Sequence, residues 1–247
     1  MNKILDIVTI NYNNLLGLKK TYASIHLGEN KDWINWIVID GGSTDGSLEF
    51  IQNLTEAPLY WQSEPDNGIY DAMNIGMEHC TGKFIWFLNS GDMVYDEGTL
   101  SLLKNKITQI KADLFYSDTM FIDENGKEQG LRSKLLKKPI PNNLQQNSFK
   151  QGMNVGHQSI VIRMSKALTY NLTYKHVADI DWVIRVLKQG LKTQLLPFNL
   201  SRFEVGGHSS QNKRDALLER FQVLQKHYGL TSTFINHMVL FFKSFFL

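Results

Sequence analysis

Three apolar runs in this chain each end on polar or acidic residues, a pattern that gathers ligand-binding groups at one rim of a sheet. Ile4–Ile10 contains Thr9 and leads into Asn11, Tyr12 and Asn13; Trp36–Asp40 leads into Gly41 and Gly42; Phe84–Leu88 leads into Asn89, Ser90, Gly91 and Asp92. In an open α/β sheet, ligands sit beyond the carboxyl ends of the strands. Structural turns explain each of these ends singly, whereas their convergence argues for a site. A strand-end Asp40 can accept hydrogen bonds from a base or ribose. Asp92 stands among small residues that leave room for a diphosphate and a hard cation. Mg²⁺ and Mn²⁺ prefer oxygen ligands, keep waters and bridge phosphates to one or two carboxylates.

Other ion and phosphate loops are excluded. DGGSTDGS at 40–47 has Ile51 where an EF-hand loop needs its twelfth-position glutamate. No Gly-Lys-Ser/Thr of a Walker loop is present, and NYNNLLG after the first run lacks the dinucleotide fingerprint. Asp45 is placed to cap the following helix. His157 and Gln158 follow a glycine and precede a strand, a place for acceptor or diphosphate contacts, with a satisfied core histidine as the alternative. GGHSS at 206–210 reads as a loop able to close over a diphosphate, with His208 as a further candidate metal ligand.

These residues need a frame. Buried strands are expected at Ile4–Ile10, Trp36–Asp40, Leu59–Gln62 and Phe84–Leu88, with helices at 14–27, after Gly46 and at 69–80. Apolar runs separated by helix-length segments argue for parallel βαβ units covered on both faces. In the second half, Asp113–Tyr116 and Gln158–Arg163 are strand candidates, and the Asn-Gly pair of FIDENGKEQ signals a hairpin. Residues 133–152 read as a mobile polar loop, and 178–189 and 213–228 as helices.

Composition narrows the class. A hydrophobic share of 43%, a charged share of 20% and a net charge of +2 suit a globular protein and argue against nucleic acid as partner. The lone Cys80 forms no internal bridge, which fits a reducing compartment. The start, MNKILDIVTI, reads as a first strand rather than a signal peptide, so a cytoplasmic location is expected. FINHMVLFFKSFFL at 234–247 is strongly apolar yet too short to span a bilayer. It reads either as an amphipathic segment in the membrane interface or as a helix docked on the core or on a second subunit.

Taken together, Thr9–Asn14, DGGSTDGS at 40–47, EPDNGIYDAMNIG at 64–76, FIWFLNSGD at 84–92 and GHQS at 156–159 resemble family 2 glycosyltransferases. The resemblance covers roughly residues 4–210, with particular likeness to bacterial enzymes of colanic acid and O-antigen synthesis. It implies an α/β, single-domain glycosyltransferase A fold: a mostly parallel central sheet flanked by helices, with C-terminal helices. Residues 1–230 would form the catalytic domain, 1–118 its nucleotide-sugar half and 119–230 its acceptor-facing half, with 231–247 an apolar helix.

The resemblance also implies roles. Thr9, Asn11, Asp40 and Gly41 would hold the nucleoside, with Asp66 nearby. Asn74 and Asp71 would face the donor or only cap their helix. NSGD stands where the family carries an Asp-x-Asp metal motif; Ser90 and Gly91 would line the donor and Asp92 would bind Mn²⁺ or Mg²⁺. ADIDWVIRVL aligns with the family's acidic helix start, Ala178 replacing a glutamate, which leaves Asp179 and Asp181 as base candidates. Two residues apart on a helix, they point to different faces, so at most one faces the sugar; motif position favours Asp179. The implied reaction is inverting transfer from a nucleotide sugar, commonly a UDP-sugar, to a saccharide or lipid-linked acceptor at the inner membrane face. The alternatives are a non-catalytic binding relative and a sugar nucleotidyltransferase.

Overall fold

The computed structural model describes residues 3–205 and 213–245. Two seven-residue strands, β1 (Leu5–Asn11) and β2 (Ile34–Asp40), are buried at every position and pair in parallel. Helices α1 (Leu15–Ile25) and α2 (Leu27–Asn30) connect them. There follow α3 (Ser47–Gln52), β3 (Tyr60–Ser63), α4 (Ile69–Glu78), β4 (Phe84–Phe87), β5 (Met93–Val94) and α5 (Thr99–Gln109). The second half runs β6 (Leu114–Tyr116), β7 (Thr119–Ile122), β8 (Glu128–Leu131), α6 (Arg132–Leu135), β9 (Ile160–Arg163), α7 (Ala178–Leu187), β10 (Thr193–Leu195) and β11 (Ser201–Glu204). Helices α8 (Lys213–Tyr228) and α9 (Leu230–Phe245) complete the order.

The central sheet has the order β10-β6-β9-β4-β1-β2-β3. All its pairings are parallel except those of β9, which runs antiparallel to both β4 and β6. Alternation along β1 sends Leu5 and Ile7 into the core under α1 and α5, and Val8 and Ile10 into the core under α4 and α7. Both faces are covered, which is why these strands are continuously apolar. Gly76 of α4 permits that packing, since a Cβ there would lie 2.5 Å from Val8 Cγ1. Asp6 is buried in β1 at the amino edge of the sheet, where it accepts from Asn35 and from the Gly82 N–H, each at 2.6 Å. It stands at the edge opposite to the expected site.

A second sheet, β5-β11-β7-β8, lies against the turn that follows β4. The expected hairpin is its β7–β8 pair, closed by residues 123–127 with Gly126 at φ +79°. Three expectations need adjustment. His157–Ser159 form a 3-10 turn, so the strand begins at Ile160. Residues 133–152 are tied down rather than loose: Leu144 and Phe149 are buried, and Arg132 donates to the carbonyls of Met153 and Asn154, each at 2.6 Å. Beyond those readings lie α5 and the short strands β5, β10 and β11. The strands hold two to four residues and carry no apolar run, but Leu100, Leu103 and Ile107 of α5 do show a helical period.

Candidate active site

The carboxyl ends of β1, β2 and β4 meet in one rim, and its loops are built from side chains that cap backbone groups. Asn13 adopts a left-handed conformation at φ 46°; its N–H donates to Ser43 Oγ at 2.7 Å and its Oδ1 accepts from the Thr44 N–H at 2.9 Å. Asp45 caps α1 and α3 together, accepting from the Leu15 N–H at 2.7 Å and the Ser47 N–H at 3.1 Å. Those bonds outweigh its slight burial and hold its carboxyl below the usual range.

Several expected donor contacts are spent on this frame. Thr9 is fully buried, and its hydroxyl accepts from Trp36 Nε1 at 2.9 Å inside the core. Asp40 is also fully buried; it accepts from Asn11 Nδ2 at 2.6 Å, Ser43 N–H at 2.9 Å, Ser43 Oγ at 2.5 Å and Ser63 Oγ at 2.6 Å. Four donors satisfy both carboxylate oxygens, so Asp40 braces the loop and is corrected as a direct nucleoside ligand. Asn74 is engaged in the frame as well. Its amide donates to the Tyr170 carbonyl at 3.1 Å and accepts from the Tyr170 N–H at 2.7 Å, lacing α4 to the segment before α7. Asp71 accepts from the Asn67 N–H at 3.0 Å, a helix-start cap.

At the nucleoside end Tyr12 and Asp66 close in around Gly41. A Cβ on Gly41 would lie 2.9 Å from Asp66 Oδ2 and 3.2 Å from the Tyr12 ring. Tyr12 is 67% exposed, and Asp66 is half-buried and steadied by the Gly68 N–H at 2.8 Å. An exposed ring and a carboxylate suit a planar heterocycle bearing N–H groups. Tyr12 stood in the sequence among the strand-end residues; its exposure is the added signal.

The turn 89–92 is clamped by α1. The Thr21 hydroxyl donates to the Asp92 carbonyl at 2.7 Å and accepts from the Gly91 N–H at 3.1 Å, while Asn14 donates to the Ser90 carbonyl at 3.1 Å. Gly91 takes φ +101°, a conformation that favours glycine. Asp92 is buried with its carboxylate toward the Asn89 N–H, at 3.2 Å, and the Gln158 side chain. Burial pushes its pKa up to about 8; the Asn89 and Gln158 hydrogen bonds oppose the rise, and the nearby charge of Glu204 adds to it. Glu204, brought to Gly91 by β11, is a site neighbour without a local sequence signal. Lys20 pairs with it at 2.8 Å.

Asn11 Oδ1, Asn89 Oδ1 and Ser90 Oγ are buried on this rim without hydrogen-bond partners. With Asp92 they form a hard-oxygen donor set, and such groups fit a divalent cation and the phosphates it bridges. Among the described residues no cluster of three or more His, Cys, Asp and Glu is formed. His208 lies outside the described residues.

The two acids of α7 have different fates. Asp181 is fully buried, bonded to Arg185 Nε at 2.6 Å and to His227 Nε2 at 2.8 Å. Burial pushes its pKa up, but the His227 and Arg185 hydrogen bonds and charges outweigh that and hold it below the usual range. It fastens α8 to α7 and is corrected as a base candidate. Asp179 points the other way. Its Oδ1 accepts from its neighbour's Ile180 N–H at 2.9 Å and from the Tyr70 hydroxyl at 3.3 Å, at the start of α4 and so on the carboxyl side of the sheet. Burial raises its pKa to about 6 against those bonds and the charge of Arg132. Glu219 of α8 accepts the N–H groups of Lys175 and His176 at 2.9 and 2.8 Å, setting the approach to Asp179.

His157 and Gln158 bridge the two acids. Gln158 reaches Asp92, while His157 Nε2 lies 2.6 Å from the Tyr170 hydroxyl. Tyr170 stacks on Tyr70, with ring centroids 5.5 Å apart, and Tyr70 bonds Asp179. Burial pushes the His157 pKa down to about 4, so it is a neutral packing group among Phe87, Tyr170 and Trp182.

Residues 6–169 match the family model described as glycosyl transferase family 2. Over 87 residues the chain is 44% identical to an uncharacterized glycosyltransferase of Mycobacterium tuberculosis, covering 35% of this chain and 33% of that protein. Over 157 residues it is 34% identical to a PGL/p-HBAD biosynthesis glycosyltransferase of the same species, covering 60% of this chain and 56% of the relative. The matched lengths are thus about a third to just over half of these relatives. Among solved structures, Staphylococcus aureus TarS 1-349 in complex with UDP-GlcNAc superposes with a TM-score of 0.68 at 12% identity, over 96% of this chain and 73% of that one. The mannosyltransferase PcManGT of Pyrobaculum calidifontis, in complex with GDP-Man and Mn2+, gives 0.63 at 12% identity over 96% and 74%. At such identities the likeness carries the fold alone.

Proposed function

Since the chain belongs to glycosyltransferase family 2 and has the glycosyltransferase A fold, we propose that it transfers a sugar, with inversion, from a nucleoside diphosphate sugar to a saccharide or lipid-linked saccharide of a surface polysaccharide. The observation that carries this reading is the division of labour between two acids on one rim, the buried Asp92 beside unpaired oxygens and the half-buried Asp179 beside Tyr70.

Tyr12, Gly41 and Asp66 receive the base, and the 89–92 turn receives the diphosphate. Asp92, with Asn89 and Ser90, would hold a divalent cation that supplies charge neutralisation for the leaving diphosphate. Asp179 takes the proton of the acceptor hydroxyl as its oxygen attacks the anomeric carbon. With its pKa raised to about 6, it is mostly ionised at neutral pH yet a stronger base than an ordinary aspartate. The Tyr70 hydroxyl orients it. A UDP-sugar is the proposed donor, and the peripheral inner face of the plasma membrane the proposed location.

The test is thermal melting of the purified chain with UDP, GDP and dTDP, each with and without Mn²⁺, followed by product analysis with the matching nucleotide sugar. A metal-dependent rise with one nucleotide, lost in Asp92→Asn, supports the reading and names the base. No rise with any of the three sinks it. A product retaining the donor's anomeric configuration overturns inversion and the role of Asp179.

A further inference from the structure

The polarity of α9 is inverted. The side it turns toward the protein is polar: Thr233 is 1% exposed, Asn236 Oδ1 accepts from Gln151 Nε2 at 3.3 Å, and His237 packs against the Phe221 ring at 5.2 Å. The side turned outward carries Leu230, Phe234, Ile235, Met238 and Val239, with Phe234 58% and Ile235 56% exposed. A helix that keeps to water does the reverse. Adjacent apolar residues of this size in the open mark a surface that meets something other than water.

A second feature lies beside it. Residues 134–138 read Lys-Leu-Leu-Lys-Lys, with Leu135 48% and Leu136 46% exposed between the exposed Lys134 and Lys137. Lys138 Nζ donates to the Gln151 carbonyl at 3.1 Å, and Gln151 in turn bonds Asn236, which ties this basic edge to the inward side of α9. Between Arg132 and Gly152 there are basic residues and no acidic ones, and α9 contains no acid. An apolar stripe and a lysine-bearing edge, neither with a carboxylate of its own, are complementary to a lipid surface that is apolar within and anionic at its headgroups.

We propose that α9 and the 134–138 edge together form a docking face for an anionic lipid bilayer, with α9 lying in the interface. Among the described residues no helix is long and apolar enough to cross a membrane. The inference deepens the lipid-linked acceptor reading and rests on it for its purpose: the face would bring such an acceptor to the enzyme along the membrane plane.

Co-sedimentation of the full chain with vesicles of phosphatidylcholine, alone or with a quarter phosphatidylglycerol, tests the face. Binding to the anionic vesicles is expected, weakened by added salt. It should fall about fivefold for each of Lys134→Ala and Lys137→Ala, and to background in the double variant Phe234→Asp/Ile235→Asp. Melting and nucleotide-induced stabilisation verify that the variants are folded. Absence of vesicle binding by the wild type, or binding unchanged in all variants, overturns the proposal. So does a stable dimer that Phe234→Asp dissociates without any vesicle binding, since the stripe is then a subunit interface. Nucleotide binding without vesicle binding rejects the face and spares the transferase reading; vesicle binding without nucleotide binding does the opposite.

Discussion

At the scale of single residues, hydrogen-bond saturation separates groups that act from groups that hold. Asp40 and Asp179 are both acids at the rim, yet Asp40 has four donors while Asp179 has one tyrosine and its neighbour's N–H. Asp179→Asn should lower kcat by about 10²–10⁴-fold, the usual weight of general-base catalysis, and leave nucleotide-induced stabilisation intact. Because the base must be ionised, kcat at saturating metal and donor should fall tenfold per unit as pH drops below about 6, the value to which burial raises Asp179. A profile flat down to pH 5 would remove Asp179 from that role. Gly41→Val should cut nucleotide affinity through the 2.9 Å approach to Asp66, read as a lost thermal shift.

Among the elements, α8 sets the geometry of the acid on α7. It does so through the buried Asp181–His227 bond and the Glu219 clamp on residues 175 and 176. Removing one partner of a buried ion pair costs roughly 3–5 kcal/mol. Asp181→Asn should fall at the lower end, because Arg185 reaches solvent, and it should lower both melting temperature and kcat without moving the pH profile. A profile displaced like that expected from loss of the base would return Asp181 to contention. The contact between α4 and β1 offers a purely structural control. Gly76→Ala, with its Cβ 2.5 Å from Val8, should destabilise by about 1–3 kcal/mol as overpacking does, with activity kept at low temperature.

The whole molecule titrates through opposed groups. His157, held neutral with a pKa near 4 against 6.5 when unfolded, weakens the fold as pH falls from 6.5 toward 4, because the unfolded chain takes the proton first. Asp179, raised from 3.8 to about 6, has the opposite sign: its share of stability is full below 3.8 and lost as pH rises through 6. These two slopes have opposite signs. Melting temperatures followed from pH 7 to 4.5 should therefore rise relative to wild type in His157→Gln and fall relative to it in Asp179→Asn; parallel curves for all three proteins would contradict both assignments.

By itself the sequence determined the centre of the sheet, because strands covered on both faces must be apolar throughout and β1, β2 and β4 announce themselves that way. It also determined the rim, since parallel strands deliver their following residues to one edge, and the family, through the order of its motifs. It could not tell which polar groups were already satisfied. Thr9, Asn74 and Asp181 meet Trp36, Tyr170 and His227, partners 27, 96 and 46 residues away. Nor could it bring Glu204 to Gly91 or show that Tyr12 stays bare. Tertiary structure decided these because hydrogen-bond partnership and exposure belong to the packed chain. It also decided which side of α9 meets the protein, a choice that the residues of that helix leave open until Gln151 and Phe221 are in place.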